Sequence, residues 1–67
     1  MYHYFVSYII KFKNNSIGYG NTEITQGYPI DEIEDIIKIQ KVLLEDNSGK
    51  EAIVLNYQLL YKEEIQL

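Results

Sequence analysis

The chain contains no cysteine, no tryptophan and no arginine, and it has a single histidine and a single proline. Without cysteine there are no disulfides, no thiolate metal ligands and no thiol nucleophile. Without arginine the chain lacks the side chain that grips phosphate or guanine with a planar fork of donors, and ten acidic residues against six lysines leave a net charge of −4. Duplex nucleic acid is therefore not an expected partner. No apolar run approaches the roughly 20 residues of a membrane helix, and Met1-Tyr2-His3-Tyr4-Phe5 is not the basic start of a signal peptide. The expectation is a protein of the bacterial cytoplasm with no membrane partner.

What is present is a folding composition, with 46% hydrophobic and 24% charged residues. The 67 residues hold one domain, spanning 1–67. A chain this short buries only about 60% of its unfolded surface. With neither disulfide nor metal to staple it, association with further copies is the expected source of extra stability. The abundance of Ile, Tyr, Asn and Lys beside the lack of Arg and Trp indicates an AT-rich coding sequence, as in low-GC bacteria and their phages.

Residues 2–12 place Tyr2, Tyr4, Val6, Tyr8, Ile10 and Phe12 on one face and His3, Phe5, Ser7, Ile9 and Lys11 on the other, the alternation of a strand. Lys13-Asn14-Asn15-Ser16 reads as a hairpin loop, because asparagine tolerates positive φ. A second strand over 17–26 contains Gly18-Tyr19-Gly20, a bulge or a close approach of backbone. Gly27-Tyr28-Pro29 ends it, and Asp31 with Glu34 has the spacing of a capping box. The helix so begun carries Ile33, Ile36, Ile37, Ile39, Leu43 and Leu44 on one face with Gln40 among them. Glu34, Lys38, Lys41 and Glu45 lie opposite at i,i+4 spacings, and Val42 sits among them. Asp46-Asn47-Ser48-Gly49 suits a left-handed turn. A last strand over 51–61 alternates Ile53, Leu55, Tyr57, Leu59 and Tyr61 against Ala52, Val54, Asn56, Gln58 and Leu60, and 63–67 is a tail. The expected fold is α+β, order ββαβ: a three-stranded antiparallel sheet in the order 2-1-3, one helix on one face, and the other face or an edge buried by self-association.

Chemistry is sparse. His3 is the only imidazole, and with no partner for a nucleophile, no Ser-His-Asp arrangement and no carboxylate cluster at metal spacing it reads as a strand-end side chain at an interface. Ser7 shares its face but lies too far along an extended chain to be its nucleophile. No catalytic residue, no metal and no cofactor is expected, and the chain is not read as an enzyme. Asp31, Glu32, Glu34 and Asp35 suit a helix N-terminus; nucleic-acid mimicry is the functional alternative. The segment around Gly18-Tyr19-Gly20-Asn21-Thr22 is neither a Walker loop nor a Rossmann fingerprint. It offers glycine backbone to an anion, Tyr19 to a base, and Asn21 and Thr22 to a base edge or ribose; a kinked edge strand explains the same glycines. Asn56, Gln58 and Gln40 lie near apolar surface and form either a satisfied network or the polar points of a pocket.

The runs Tyr4-Phe5-Val6-Ser7-Tyr8, Gly18-Tyr19-Gly20-Asn21, Pro29-Ile30 with Ile33-Glu34, and Ala52-Ile53-Val54-Leu55-Asn56-Tyr57 together resemble small phage and prophage proteins of low-GC bacteria. In size and assembly the chain resembles sponges that sequester nucleotide signals made by TIR-domain defence systems such as Thoeris. That resemblance implies immune evasion by signal sequestration: a homo-oligomer binding a nucleotide-derived ligand of the cyclic ADP-ribose type in pockets between protomers, without turnover. Binding a diphosphate without arginine would rest on Lys11, Lys13, backbone N–H groups and Tyr or Asn side chains. The expected ligand-binding set is Tyr19, Gly20, Asn21, Thr22, Lys11, Lys13, Asn56 and Gln58. The alternative partner is a host defence protein, inhibited through the acidic helix or an exposed strand edge.

Overall fold

The alternation of the N-terminal half closes into a hairpin, with β1 over Tyr2–Lys11 and β2 over Ile17–Gln26 paired antiparallel in unbroken register from Tyr2 opposite Gln26 to Lys11 opposite Ile17. The structure, a computed structural model, describes residues 1–64. Asparagine does what the loop requires: Asn15 is left-handed at φ 66°. Its N–H donates to the Phe12 carbonyl at 2.9 Å, while Asn14 Oδ1 accepts from the Ser16 N–H and hydroxyl. Helix α1 runs over Ile33–Asn47, and β3 over Glu51–Lys62 returns antiparallel to β1, giving the sheet order 2-1-3.

The two glycines of β2 serve close approach. Neither has a positive φ, and the β1–β2 register has no bulge. A Cβ on Gly20 would stand 2.6 Å from the Tyr8 ring, and one on Gly18 would stand 3.1 Å from Phe12. The rings of Tyr8, on β1, and Phe12, just after it, lie across the bare backbone of β2, which shields it as a side chain would.

The helix begins later than the Asp31–Glu34 spacing predicts. Its N-cap is Glu32 and Asp35 stands at the third helical position, one residue out of register with the expected box. Asp35 Oδ2 accepts the backbone N–H groups of both Asp31 and Glu32 at 3.2 Å. Those bonds, the Asp31 N–H first, hold its carboxyl below the ordinary value against the opposing effect of burial. With Glu32 as N-cap, Asp35 is the residue at the third helical position, from which a side chain reaches back to the N-cap N–H. At the other end Ser48 is left-handed at φ 52°, with Ser48 N–H to Glu45 O and Gly49 N–H to Leu44 O, the paired bonds of a Schellman ending. The expected left-handed turn forms, but on serine: Gly49 keeps a negative φ because its task is steric, its missing Cβ leaving room for Ile10 Cγ2.

The core is Tyr4, Val6, Ile10, Ile39, Leu43 and Ala52, with Ile24, Ile30, Leu44 and Val54 packed around it. Only part of the predicted helix face is buried. Ile33 is 66% and Ile37 44% exposed, because the helix lies mainly over β3 and its first turns run past the core. Tyr4 closes the fold a second way, its buried hydroxyl accepting the Ile30 N–H at 2.8 Å and fixing the segment that leads into the helix. On the outer helix face Lys38 sits over the Tyr28 ring, 5.7 Å from its centroid.

The simple alternation expected for β3 is corrected by two bulges. The β1–β3 register shifts between His3 and Tyr4 and again between Ser7 and Tyr8, skipping Leu60 and Leu55. Directly paired residues share a face. Ala52, Val54, Tyr57 and Leu59, opposite Ile10, Tyr8, Val6 and Tyr4, therefore lie on the helix side, and Ile53, Asn56, Gln58 and Tyr61 lie on the open side. Each extra residue flips the pattern once. The strand also runs one residue further than expected, to Lys62. Of the expected tail, Glu63 is bound in place by Met1 N to Glu63 O and Glu63 N–H to Met1 O, both 2.7 Å; residues 65–67 lie outside the described residues.

Candidate binding surface

With the helix on one side, the other face of the sheet stands open. β2 contributes Ile17, Tyr19, Asn21, Glu23 and Thr25; β1 contributes Lys11, Ile9, Ser7, Phe5 and His3; β3 contributes Glu51, Ile53, Asn56, Gln58 and Tyr61. The rows run from an apolar end, Tyr19-Ile9-Ile53, through an amide and hydroxyl row, Asn21-Ser7-Asn56, to Glu23-Phe5-Gln58 and then Thr25-His3-Tyr61. Ser7 Oγ donates to Asn21 Oδ1 at 2.7 Å. A shallow depression of about 120 Å³ lies between Phe5, Ser7, Asn56, Tyr57 and Gln58.

Of the sequence-predicted residues, Tyr19, Asn21, Lys11, Asn56 and Gln58 fall on this face. Gly20 and Thr22 do not: they pair with Tyr8 and Val6 and so belong to the helix side of β2. Lys13 lies in the hairpin loop, and Lys11 stands at the far end of the sheet from Phe5 and Gln58. The contiguous segment is split because a strand sends neighbouring side chains to opposite faces. Gln40 is no pocket residue, since its Oε1 accepts the Val54 N–H at 2.9 Å and covers the β3 edge there. Asn56 Oδ1 accepts the Tyr57 N–H at 2.8 Å, which leaves its amide N–H groups for other partners.

Sequence reasoning missed the surroundings of His3. The ring is only 9% exposed inside the single chain, so no interface is needed to bury it. Nδ1 lies 2.9 Å from Glu23 Oε1 and 3.0 Å from Thr25 Oγ1, and Nε2 lies 3.0 Å from Glu63 Oε1. Tyr61 stacks on the ring at 4.1 Å with 12° between planes. Carboxylates only accept, so both ion-pair bonds form together when the ring carries both protons; with one proton, the Thr25 hydroxyl can donate to Nδ1 instead. Period-two alternation put His3 and Thr25 each on a face, but pairing Glu63 with His3 needed the bulge near Leu60. The two carboxylates approach opposite edges of the ring and do not converge, and among the described residues no group of three could hold a metal ion. Also among the described residues, no helix is long and apolar enough to cross a membrane.

Comparison with protein-family models, with curated proteins and with solved structures returned no match.

Proposed function

We propose that the protein is a non-enzymatic binding module that works as a homo-oligomer and captures a nucleotide-derived signal of the cyclic ADP-ribose type between protomers, as a phage anti-defence factor would. One observation carries the reading. The open face gathers an aromatic ring, a hydroxyl and two amides at Phe5, Ser7, Asn56 and Gln58 around a depression of about 120 Å³. Sites for small molecules are usually about 300–1,000 Å³ and enclose most of the ligand. A single protomer therefore offers part of a site, with the chemistry to stack a base and hydrogen-bond a ribose, and a second copy is the natural source of the rest. With no arginine on the chain, the amides and backbone, not a bidentate cation, would carry recognition.

The test is native mass spectrometry of the protein after incubation with lysate of cells producing such signals. A stoichiometric adduct of nucleotide mass is expected, and it should be lost in Asn56→Ala and Gln58→Ala variants that keep their fold. Protein that emerges with no retained small molecule overturns the reading.

A further inference from the structure

The free edge of β3 is unlike the other edge of the sheet. Residues 53–61, Ile-Val-Leu-Asn-Tyr-Gln-Leu-Leu-Tyr, contain no charge, no proline and no glycine, whereas β2 carries Gly18, Gly20 and Glu23. Edges left for solvent are normally blunted by charge, proline, bulges or cover; among the described residues this one has its two bulges, Gln40 on the Val54 N–H and the neighbouring Asn56 side chain on the Tyr57 N–H, a local bond that an incoming strand has to displace, and no charge or proline. Leu55, Leu59 and Leu60 are each about half exposed.

We infer that this edge pairs with the same edge of a second copy, antiparallel about a two-fold axis at Tyr57. The register follows from matching side chains. With Tyr57 opposite the partner's Tyr57, Asn56 meets the partner's Gln58, Leu55 the partner's Leu59, Val54 the partner's Leu60 and Ile53 the partner's Tyr61. Amides oppose amides, and apolar residues oppose apolar ones. The face assignments imposed by the bulges agree as well: Asn56 and Gln58 are both on the open side, as are Ile53 and Tyr61, while Tyr57 is on the helix side. A shift of one residue sets Tyr57 against the partner's Gln58, which lie on opposite sides of the sheet.

The helix leaves room for this pairing and is completed by it. Gln40 marks where α1 crosses Val54. Ile33 is seven residues before it, about 10 Å along the helix axis and so about three strand residues along the antiparallel β3, which puts the helix start close to Tyr57. Beyond that point the helix-side residue Leu59 is 47% exposed. The two-fold axis brings the start of the partner's helix beside that uncovered half, with Ile33 and Ile37, on the same helical stripe as Gln40, as its apolar flank. A specific interface takes about 800 Å² from each partner, about a sixth of this chain's 4932 Å² surface, and the exposed Leu55, Leu59 and Leu60 with Ile33 and Ile37 are the apolar side chains this pairing would bury. The product is a six-stranded sheet in the order 2-1-3-3-1-2. On its open side the two depressions meet across the axis, and Asn56 and Gln58 of both chains converge there. The inference deepens the homo-oligomer reading proposed above and rests on it.

Light scattering combined with cysteine placement tests it on the full chain. The native protein is expected at twice the 7.9 kDa chain mass or a multiple of that. In this cysteine-free protein, Tyr57→Cys is expected to form an interchain disulfide under mild oxidation, because residues paired on a two-fold axis have Cα atoms about 4.5–5.5 Å apart. Leu60→Cys, opposite the partner's Val54, is expected to form none. Leu55→Lys is expected to weaken the dimer by about tenfold or more, and adding Leu59→Glu in the same chain is expected to restore it, since each lysine then faces a glutamate of the other copy. A monomer at every concentration overturns both this edge and the homo-oligomer reading. An oligomer whose Tyr57→Cys form does not cross-link and whose Leu55→Lys form is undiminished overturns the edge alone.

Discussion

Gly49→Ala tests the packing at the helix-to-strand corner. An ideal Cβ there stands 2.5 Å from Ile10 Cγ2 and 3.5 Å from Leu44 Cδ1. Carbon atoms in contact prefer about 3.5–4.0 Å, so Leu44 is in ordinary contact and it is the Ile10 methyl or the backbone at 49 that has to move by about 1 Å. Ile10 is 2% exposed, and its Cγ2 is one bond from a Cβ fixed to the central strand, so it has no room to swing. Overpacking of this kind costs about 1–3 kcal/mol, offset in part by the roughly 0.4–1 kcal/mol gained when a less flexible residue replaces glycine in the unfolded chain. The net loss is about 1–2 kcal/mol, out of a total of about 3–10 kcal/mol for a domain this size. The melting temperature is expected to fall by roughly 5–15 °C, read by circular dichroism at fixed protein concentration because association shifts the transition. The decisive arm is Ile10→Leu, which conserves volume but has no second branch at Cβ. In that background Gly49→Ala is expected to be neutral or stabilising. If the loss is the same in both backgrounds, or if Gly49→Ala stabilises the native chain, the steric account of this glycine is wrong.

Three further outcomes follow from the same geometry. Ser48→Gly keeps the Schellman turn and removes the cost of a left-handed serine, so the melting temperature should rise, by an amount corresponding to about 0.5–1 kcal/mol; a fall would mean the Ser48 side chain contributes more than its backbone conformation costs. Asp35 has a folded pKa below its unfolded value of about 3.9, so its contribution is complete above that pH and is lost as pH falls through the unfolded and then the folded value. An acid titration of Asp35→Asn should accordingly show a shallower loss of stability below about pH 4, and an unchanged acid limb would refute the assignment. His3→Ala removes the stacking on Tyr61 and the contacts to Glu23 and Glu63, whose carboxylates are more than half exposed, so that each contact is worth about 0–1 kcal/mol. Amide exchange should quicken at Glu63 and at the adjoining end of β3, and an unaltered exchange pattern would show that Glu63 is held by its backbone bonds to Met1 alone.

The acidic start of the helix illustrates why a correct residue class does not fix a register. Asp31, Glu32, Glu34 and Asp35 all satisfy the composition of a helix N-terminus, and which carboxylate reaches back to the free N–H groups depends on where the helix starts, here with Glu32 as N-cap and Asp35 at the third position. His3 was legible as a strand residue. Its carboxylate partners come from β2 and from beyond β3, 20 and 60 residues away, and no local pattern reports pairing at that separation.

By itself the sequence determined the four elements, their order and the 2-1-3 sheet, because period-two and helical spacings of apolar residues are local signals that survive any tertiary arrangement. It also determined that β1 is apolar on one whole face and that asparagine turns the hairpin. Only the tertiary structure decided which side of the sheet each β3 residue occupies. The bulges at Leu55 and Leu60 are defined by pairing with β1, and nothing in residues 51–62 alone marks where the alternation breaks. The insertion at Leu55 carries Asn56 and Gln58 to the open face beside Phe5 and Ser7 while sending Tyr57 to pack edge-on against Tyr4, and the one at Leu60 puts Tyr61 on the open face beside His3. The candidate surface is thus a product of strand register, which long-range hydrogen bonds and helix packing set together.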